Sequence, residues 1–290
     1  LVGADMLMTD TMRYCDIVLP VAHWFEKEDV FISYATHPFA LYQEKAIEPA
    51  FESRADIDIF NDLAERVGCG DIFKITTEEY LEQVFQTKQA QALGADLATL
   101  REKKAVRQAG KEGEAYVYAD GGVFATTSKL AELYVENPVG SNPYTDGWDL
   151  AKEHLAYWEP ALQVGDDARR ETYPIQLLSE HSRFRTHTQW FEASMLKEID
   201  TEPFIKLSPV DAEKYGVATG DRVRAYNELG SVVLTAQINP GLPEGMATCP
   251  KGWESAEFIE GSFTELFTKE GNPFCSNQAY FDCTVAIEKL

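Results

Sequence analysis

The ten residues Glu180-His181-Ser182-Arg183-Phe184-Arg185-Thr186-His187-Thr188-Gln189 hold two of the chain's five histidines and two arginines. Phe184 is their only apolar side chain. Guanidinium and imidazole groups set beside hydroxyls and an amide suit a ligand rich in acceptors, such as phosphates, a purine or a pterin. The segment follows directly on Ile175 to Leu178, an apolar run that reads as a buried strand. Taken alone, the segment favours a plainer reading, a solvated turn leading into a helix.

The bulk composition narrows the ligand. With 290 residues the chain can bury a sizeable core and has room for two domains. Forty-eight acidic against 26 basic residues give a net charge of −22, which argues against nucleic acid as a partner because phosphate backbones need a basic face. A local Arg/His cluster can still hold one small anionic cofactor, and the overall charge by itself implies solubility. No run approaches the eighteen or so apolar residues of a membrane span, so direct membrane insertion is not expected. No signal-peptide pattern opens the chain, and the compartment stays open between cytoplasm and periplasm. Cys15, Cys69, Cys249, Cys275 and Cys283 form no Cys-x-x-Cys pair and offer neither an iron–sulfur nor a zinc pattern. Most read as small buried apolar residues.

The elements that must position the donors come in two styles. Residues 1 to about 70 read as α/β, a partial parallel sheet with helices. Val2 closes one strand, Thr9 to Tyr14 suits a short helix, and Ile17-Val18-Leu19-Pro20 is a short apolar strand stopped by proline. Leu1-Val2-Gly3-Ala4-Asp5 has no initiator Met and reads as the end of a buried strand, so the chain is expected to be cut from a longer one. Ser53 and Asp56 make a helix start, and Ile57, Phe60, Leu63, Ala64 and Val67 recur at helical spacing before Gly68. Residues 71 to about 135 read as helical and charged, with Glu78 to Gln91 the longest piece. The basic run Arg101, Lys103, Lys104, Arg107 and Lys111 reads as a solvated helix face. Asn137 to Gly147, rich in Pro, Gly and Asn, is a loop or crossing linker.

From about Thr172 the pattern changes to short strands and tight turns. Ser208-Pro209 caps a helix that Gly216 closes. Val223 and Ala225 alternate with Arg222 and Arg224, Asn227-Glu228-Leu229-Gly230 turns, and Val232, Leu234, Ala236 and Ile238 alternate on the return strand. A last strand runs from Cys283 to Glu288. This style suggests a small closed barrel.

These residues resemble the molybdopterin oxidoreductases of the dimethyl sulfoxide reductase family. Ser208-Pro209-Val210-Asp211-Ala212, Gly216, Gly220-Asp221-Arg222-Val223 and Asn227-Glu228-Leu229-Gly230 follow the order of its C-terminal dinucleotide-binding barrel. Pro240-Gly241 and Gly252-Trp253 fall at corresponding places, and Arg185-Thr186-His187-Thr188-Gln189 looks like its "Arg-x-His-Ser/Thr-Gln" loop. Asp5, Thr9, Thr11 and Asp16-Ile17-Val18-Leu19-Pro20 resemble the end of the preceding α/β domain, with Cys15 in place of Ala. Ser128-Lys129 and Glu132-Leu133-Tyr134 look like the segment leading toward the barrel.

The resemblance implies the end of an α/β, Rossmann-like domain at 1–70, a helical insertion and crossing linker at 71–171, and a mainly β double-psi barrel at 172–290. It implies a bis(molybdopterin guanine dinucleotide) cofactor carrying molybdenum, with tungsten as the alternative metal. Arg185 then supplies a planar fork of donors, and His187, Thr188 and Gln189 match ring edges. His181 joins them or is a surface histidine. Asn227 offers an amide to a base edge or is only a turn residue, and Asn272 in a Gly-Asn-Pro turn is a further implied contact. Asp5 and Thr9 are read as caps, and Trp253 as core packing. The metal's protein ligand and the cysteines of a [4Fe–4S] cluster have no candidates in this chain. The chain alone is therefore expected to be inactive. Its implied partners are the remaining domains of the parent enzyme and an iron–sulfur protein for electron transfer. In the full-length enzyme the expected reaction is two-electron oxo or hydroxyl transfer. The alternative is a stand-alone double-psi barrel serving as an adaptor without cofactor.

Overall fold

The computed structural model describes residues 1–33, 39–91, 94, 96–107, 124, 126–138, 149–158, 160–268 and 279–290. Contacts divide the chain into two units, Leu1–Ala131 and Glu132–Leu290.

In the first unit, β1 (Val2–Asp5) and β2 (Ile17–Pro20) pair in parallel, Val2 beside Ile17 and Asp5 beside Pro20. Between them lies α1 (Asp10–Arg13), whose N-cap Thr9 accepts from the Met12 amide at 3.4 Å. A side chain at Gly3 would meet the sulfurs of Met12 and Cys15 at 2.5 and 2.7 Å. A larger residue there would have to displace those side chains. Asp5 does not cap the helix: its carboxylate accepts from the Met6 amide at 2.7 Å and closes its own turn.

α2 (Asp56–Arg66) starts where expected, but Ala55 is its N-cap without a side-chain bond, and the Ser53 hydroxyl donates to the Ala50 carbonyl. The expected apolar stripe is also rotated. Ile59 and Ala64 are buried, whereas Phe60 and Val67 are 55% and 70% exposed. The charged region breaks into α3 (Thr77–Val84), α4 (Lys88–Gln91) and α5 (Leu97–Lys103) rather than one long piece. An antiparallel sheet not anticipated from the pattern, β3 (Asp29–Ser33), β4 (Phe39–Gln43) and β5 (Ala105–Arg107), packs Ala40 against Leu100 of α5. The basic run accordingly does not line one helix face. Arg101 bridges Glu28 and Glu78, Lys104 caps α5 in a left-handed conformation, Arg107 lies in β5, and Lys111 falls outside the described residues.

The second unit is a barrel. It begins with a 3₁₀ turn at Leu150–His154 and α6 (Asp167–Thr172). Its strands are β6 (Ile175–His181), β7 (Phe204–Leu207), β8 (Arg222–Tyr226), β9 (Ser231–Ile238), β10 (Met246–Lys251) and β12 (Thr284–Lys289). β11 (Glu260–Gly261) hangs on the edge of β9. The ring runs β9, β7, β10, β6, β12, β8 and closes because β8 pairs with both β12 and β9. Closure removes the open sheet edges that would otherwise seek partners. Two pairs, β6–β10 and β7–β9, are parallel, and the other four pairings of the ring are antiparallel. This is the double-psi architecture expected from the sequence.

Alternation fills the interior. Ile175, Leu177, Ile205, Leu207, Val223, Ala225, Leu234, Ala236 and Val285 are all buried within it. α7 (Ser194–Ile199) precedes β7, and α8 (Pro209–Tyr215) follows it, with Ser208 accepting from the Asp211 amide at 3.0 Å and Gly216 at φ 64°. A strap of chain before α6 is tied to the last strand. The Asp282 carboxylate accepts from the amides of Gln163 at 3.0 Å and Val164 at 2.8 Å, and the Gln163 side-chain oxygen accepts from the Thr284 amide at 3.1 Å.

Asp282→Ala strands buried amide donors, and the expected cost is about 2–3 kcal/mol for hydrogen bonds to a charged group. The urea midpoint should fall with the slope unchanged. An unaltered midpoint would mean that the strap contributes nothing to holding the barrel.

Candidate cofactor-binding loop

Parallel pairing of β6 with β10 sets His181 beside Lys251, so both strands end at one rim. The chain leaving β6 forms the polar loop, and the chain leaving β10 forms Gly252-Trp253. Gln189 N–H donates to the Thr186 carbonyl at 3.1 Å, closing a four-residue turn around His187 and Thr188. His187 takes φ 53° and Trp190 φ 67°, left-handed values that a non-glycine residue adopts only when its surroundings enforce them. Gly252 is the enforcing neighbour. At φ 102° it lies so close under the turn that an added Cβ would overlap the His187 carbonyl.

Of the expected contacts, His181, His187, Thr188 and Gln189 are gathered on the surface. The rings of His181 and His187 meet edge to face at 5.3 Å. Arg183 and Lys251 stand in the same region, and among the described residues neither is in an ion pair. The rim therefore presents cationic and neutral donors in a chain of net charge −22. That polarity suits an anionic ligand with polar ring edges.

Arg185 points the other way. Its side chain has no exposure: Nε donates to Asp200 Oδ2 at 3.1 Å, Nη2 to the Asp200 carbonyl at 3.3 Å, and the guanidinium lies 3.7 Å over the Trp253 ring. Trp253 is itself in the barrel core, as read from the sequence. Asn227 is saturated by the fold. Its amide group donates to the carbonyls of Leu266 at 2.9 Å and Thr284 at 3.1 Å, and its oxygen accepts from the amides of Leu229 and Gly230. Beside that turn opens a cleft of about 560 Å3 lined by Glu228, Glu260, Glu265, Glu288 and Arg224. Arg169 holds the Glu228 carboxyl below its ordinary range and Arg224 pairs with Glu260 and Glu288, so the cleft keeps an acidic excess that suits an anion poorly. Asn272 lies outside the described residues.

Among the described residues, the remaining chemistry-bearing groups do not assemble a second centre. Burial pushes the Cys283 thiol up to about 12 and raises the Cys249 thiol as well, so both stay protonated at neutral pH. Among the described residues no group of three or more His, Cys, Asp or Glu is placed to hold a metal ion. A cleft of about 620 Å3 in the first unit is lined by both Glu28, Asp56 and Glu79 and Lys27 and Lys74, without a net donor face.

Comparisons with known proteins cover both units of the chain. Residues 175–283 match the model of the molydopterin dinucleotide binding domain, and residues 1–66 match that of the molybdopterin oxidoreductases. A Halobacterium salinarum protein named as the catalytic chain of a dimethyl sulfoxide reductase is 33% identical over 99% of this chain and 33% of its own length. The chain belongs to the dimethyl sulfoxide reductase family of molybdopterin oxidoreductases.

The trimethylamine-N-oxide reductase of Pasteurella multocida is 30% identical over 88% of this chain and 32% of its own length. This member of the family thus spans about a third of the length of these curated relatives. Acetylene hydratase from Pelobacter acetylenicus shares the fold, with a TM-score of 0.75 at 20% identity, covering 100% of this chain and 40% of that one. No helix among the described residues is long and apolar enough to cross a membrane.

Sequence reasoning did not single out Lys251, Gly252 or Asp200 as neighbours of the loop. Lys251 and Gly252 enter only through the β6–β10 register. The Gly252-Trp253 dipeptide was the one local signal available.

Gly252→Ala places a methyl group against the His187 carbonyl and demands a left-handed alanine, at an expected cost of about 2–4 kcal/mol. Trp253 fluorescence and the melting temperature should both change. A variant with wild-type fluorescence and stability would show that the turn does not rest on Gly252.

Proposed function

We propose that this chain is the cofactor-clamping portion of a molybdenum oxidoreductase and that the rim at residues 181–189 holds a bis(molybdopterin guanine dinucleotide). The observation that carries the reading is the exposed turn His187-Thr188-Gln189, fixed on Gly252 beside His181 and Lys251, inside the matched dinucleotide-binding domain. The donor set fits the group. Lys251 and Arg183 suit the anionic oxygens of a pyrophosphate, and the histidines, Thr188 and Gln189 suit the nitrogens and carbonyls of pterin and guanine edges.

When bound, the cofactor supplies two-electron redox chemistry at its metal, which is molybdenum or tungsten. The residues here would bind and orient it: His187 and Thr188 from a backbone already bent into place, with Arg185 beneath them as part of the frame. Names of relatives as dimethyl sulfoxide and trimethylamine-N-oxide reductases support oxo transfer ahead of hydroxyl transfer. The metal's protein ligand and any [4Fe–4S] cysteines would lie in protein beyond this chain, which leaves residues 1–290 inactive alone. A separate iron–sulfur protein would be the electron partner. The adaptor reading has no comparable support, because an adaptor barrel has no use for the oxidoreductase match over residues 1–66.

In the full-length protein, His187→Ala is expected to lower metal and guanine content about tenfold, the value of one lost ring contact. Stability should stay within about 0.5 kcal/mol, as for a surface substitution. Full cofactor content with a sharply lower melting temperature would make the turn structural instead. Assaying residues 1–290 alone beside the full-length enzyme checks the expected inactivity.

A further inference from the structure

Arg185 lies one residue before the exposed turn and is separated from solvent entirely. Besides its two bonds to Asp200, its Nη1 lies 3.7 Å from the Glu257 carboxylate, and its plane covers the Trp253 ring. The Ser182 hydroxyl donates to the same Asp200 oxygen at 3.3 Å. Two carboxylates already face one guanidinium, so a phosphate brought there would meet net negative charge. Arg185 is therefore unsuited to be an anion ligand itself.

The contacts tie together three stretches distant in the chain. Asp200 is the C-cap of α7, with its N–H on the Leu196 carbonyl at 2.8 Å. Glu257 belongs to the 3₁₀ turn Ser255–Glu257 after β10, where its side chain accepts from the Glu254 amide at 3.0 Å. Arg185 belongs to the loop after β6. The junction is incompletely satisfied: Arg185 Nη1 and Trp253 Nε1 are buried without hydrogen-bond partners. A buried ion pair of this kind is weak as a source of stability and better suited to fixing one arrangement over others.

We infer that Arg185, with Asp200, Glu257 and Trp253, is a positioning assembly that orders the Thr186–Gln189 turn before the cofactor arrives. This rests on the reading of the rim given above. Ordering the turn in advance removes that entropy cost from binding, so the cofactor should leave more slowly than from a loose loop.

The test uses the full-length holoenzyme with Arg185→Lys, which keeps the charge but loses the fork and the stack. Cofactor loss at 25 °C, hydrogen exchange at the amides of residues 186–189 and the melting temperature are measured together. Expected are about tenfold faster cofactor loss, faster exchange confined to the turn, and little change in melting. Combined with His187→Ala, Arg185→Lys should add little further, because both act through the same turn. Wild-type loss and exchange rates in Arg185→Lys, or additive effects in the double variant, would overturn the inference. Asp200→Asn provides the same comparison should Arg185→Lys fail to fold. A wild-type enzyme without cofactor would sink the functional reading, while the exchange rates would still decide the positioning role.

Discussion

Six residues of parallel pairing between β6 and β10, from Gln176 beside Met246 to His181 beside Lys251, hold the rest of the site in place. Parallel neighbours end at the same rim, so the loops that follow them must leave side by side. One loop carries the donors, and the other carries a glycine whose missing side chain lets the donor turn settle on it. Slipping the register by one residue would turn every side chain of β10 to the opposite face. Leu177, Ala247 and Cys249, all buried in the barrel, oppose such a slip. Packing in the interior thereby fixes geometry at the surface.

Charge distinguishes the two ends of the barrel as places for an anionic ligand. The protein is strongly acidic, and the cleft beside Asn227 keeps that character with four glutamates. At the β6–β10 rim the sign reverses locally through Arg183 and Lys251, with the paired histidines beside them as further donors. Long-range repulsion from the acidic surface is screened over roughly 8–10 Å at ordinary ionic strength. A small cationic rim would thus be enough for the proposed ligand. Beneath it, Arg185 contributes its charge to the protein's own carboxylates rather than to the ligand.

Much of this architecture was written in local signals. The Ser208-Pro209 cap, the left-handed Gly216 and the alternation of Val223, Ala225, Val232, Leu234 and Ala236 each follow from neighbours in sequence, and the barrel strands form where those signals fall. The gathering of His181, His187, Thr188 and Gln189 was also legible, because they occupy one short segment. What sequence could not show depends on partners far along the chain. Asp200 lies 15 residues from Arg185, and Asn227 finds its carbonyl acceptors 39 and 57 residues away. Arg185 reads as an outward donor, and Asn227 as either a base-edge donor or a turn residue, until tertiary structure turns both inward and gives Asn227 its turn. The three-stranded sheet of the first unit was missed for a related reason: β5 has only three residues, and its partner β4 lies more than sixty positions earlier. The outward turn of Phe60 and Val67 likewise reflects which face of α2 the fold covers, a choice that helical periodicity alone leaves open.

The central claim is that this rim clamps a molybdopterin dinucleotide. Elemental analysis of the full-length protein, purified without oxygen, with released guanine nucleotide counted beside the metal, tests it most directly. The account predicts one molybdenum or tungsten with about two guanine nucleotides per folded protein. A folded protein that carries neither metal nor nucleotide would contradict it.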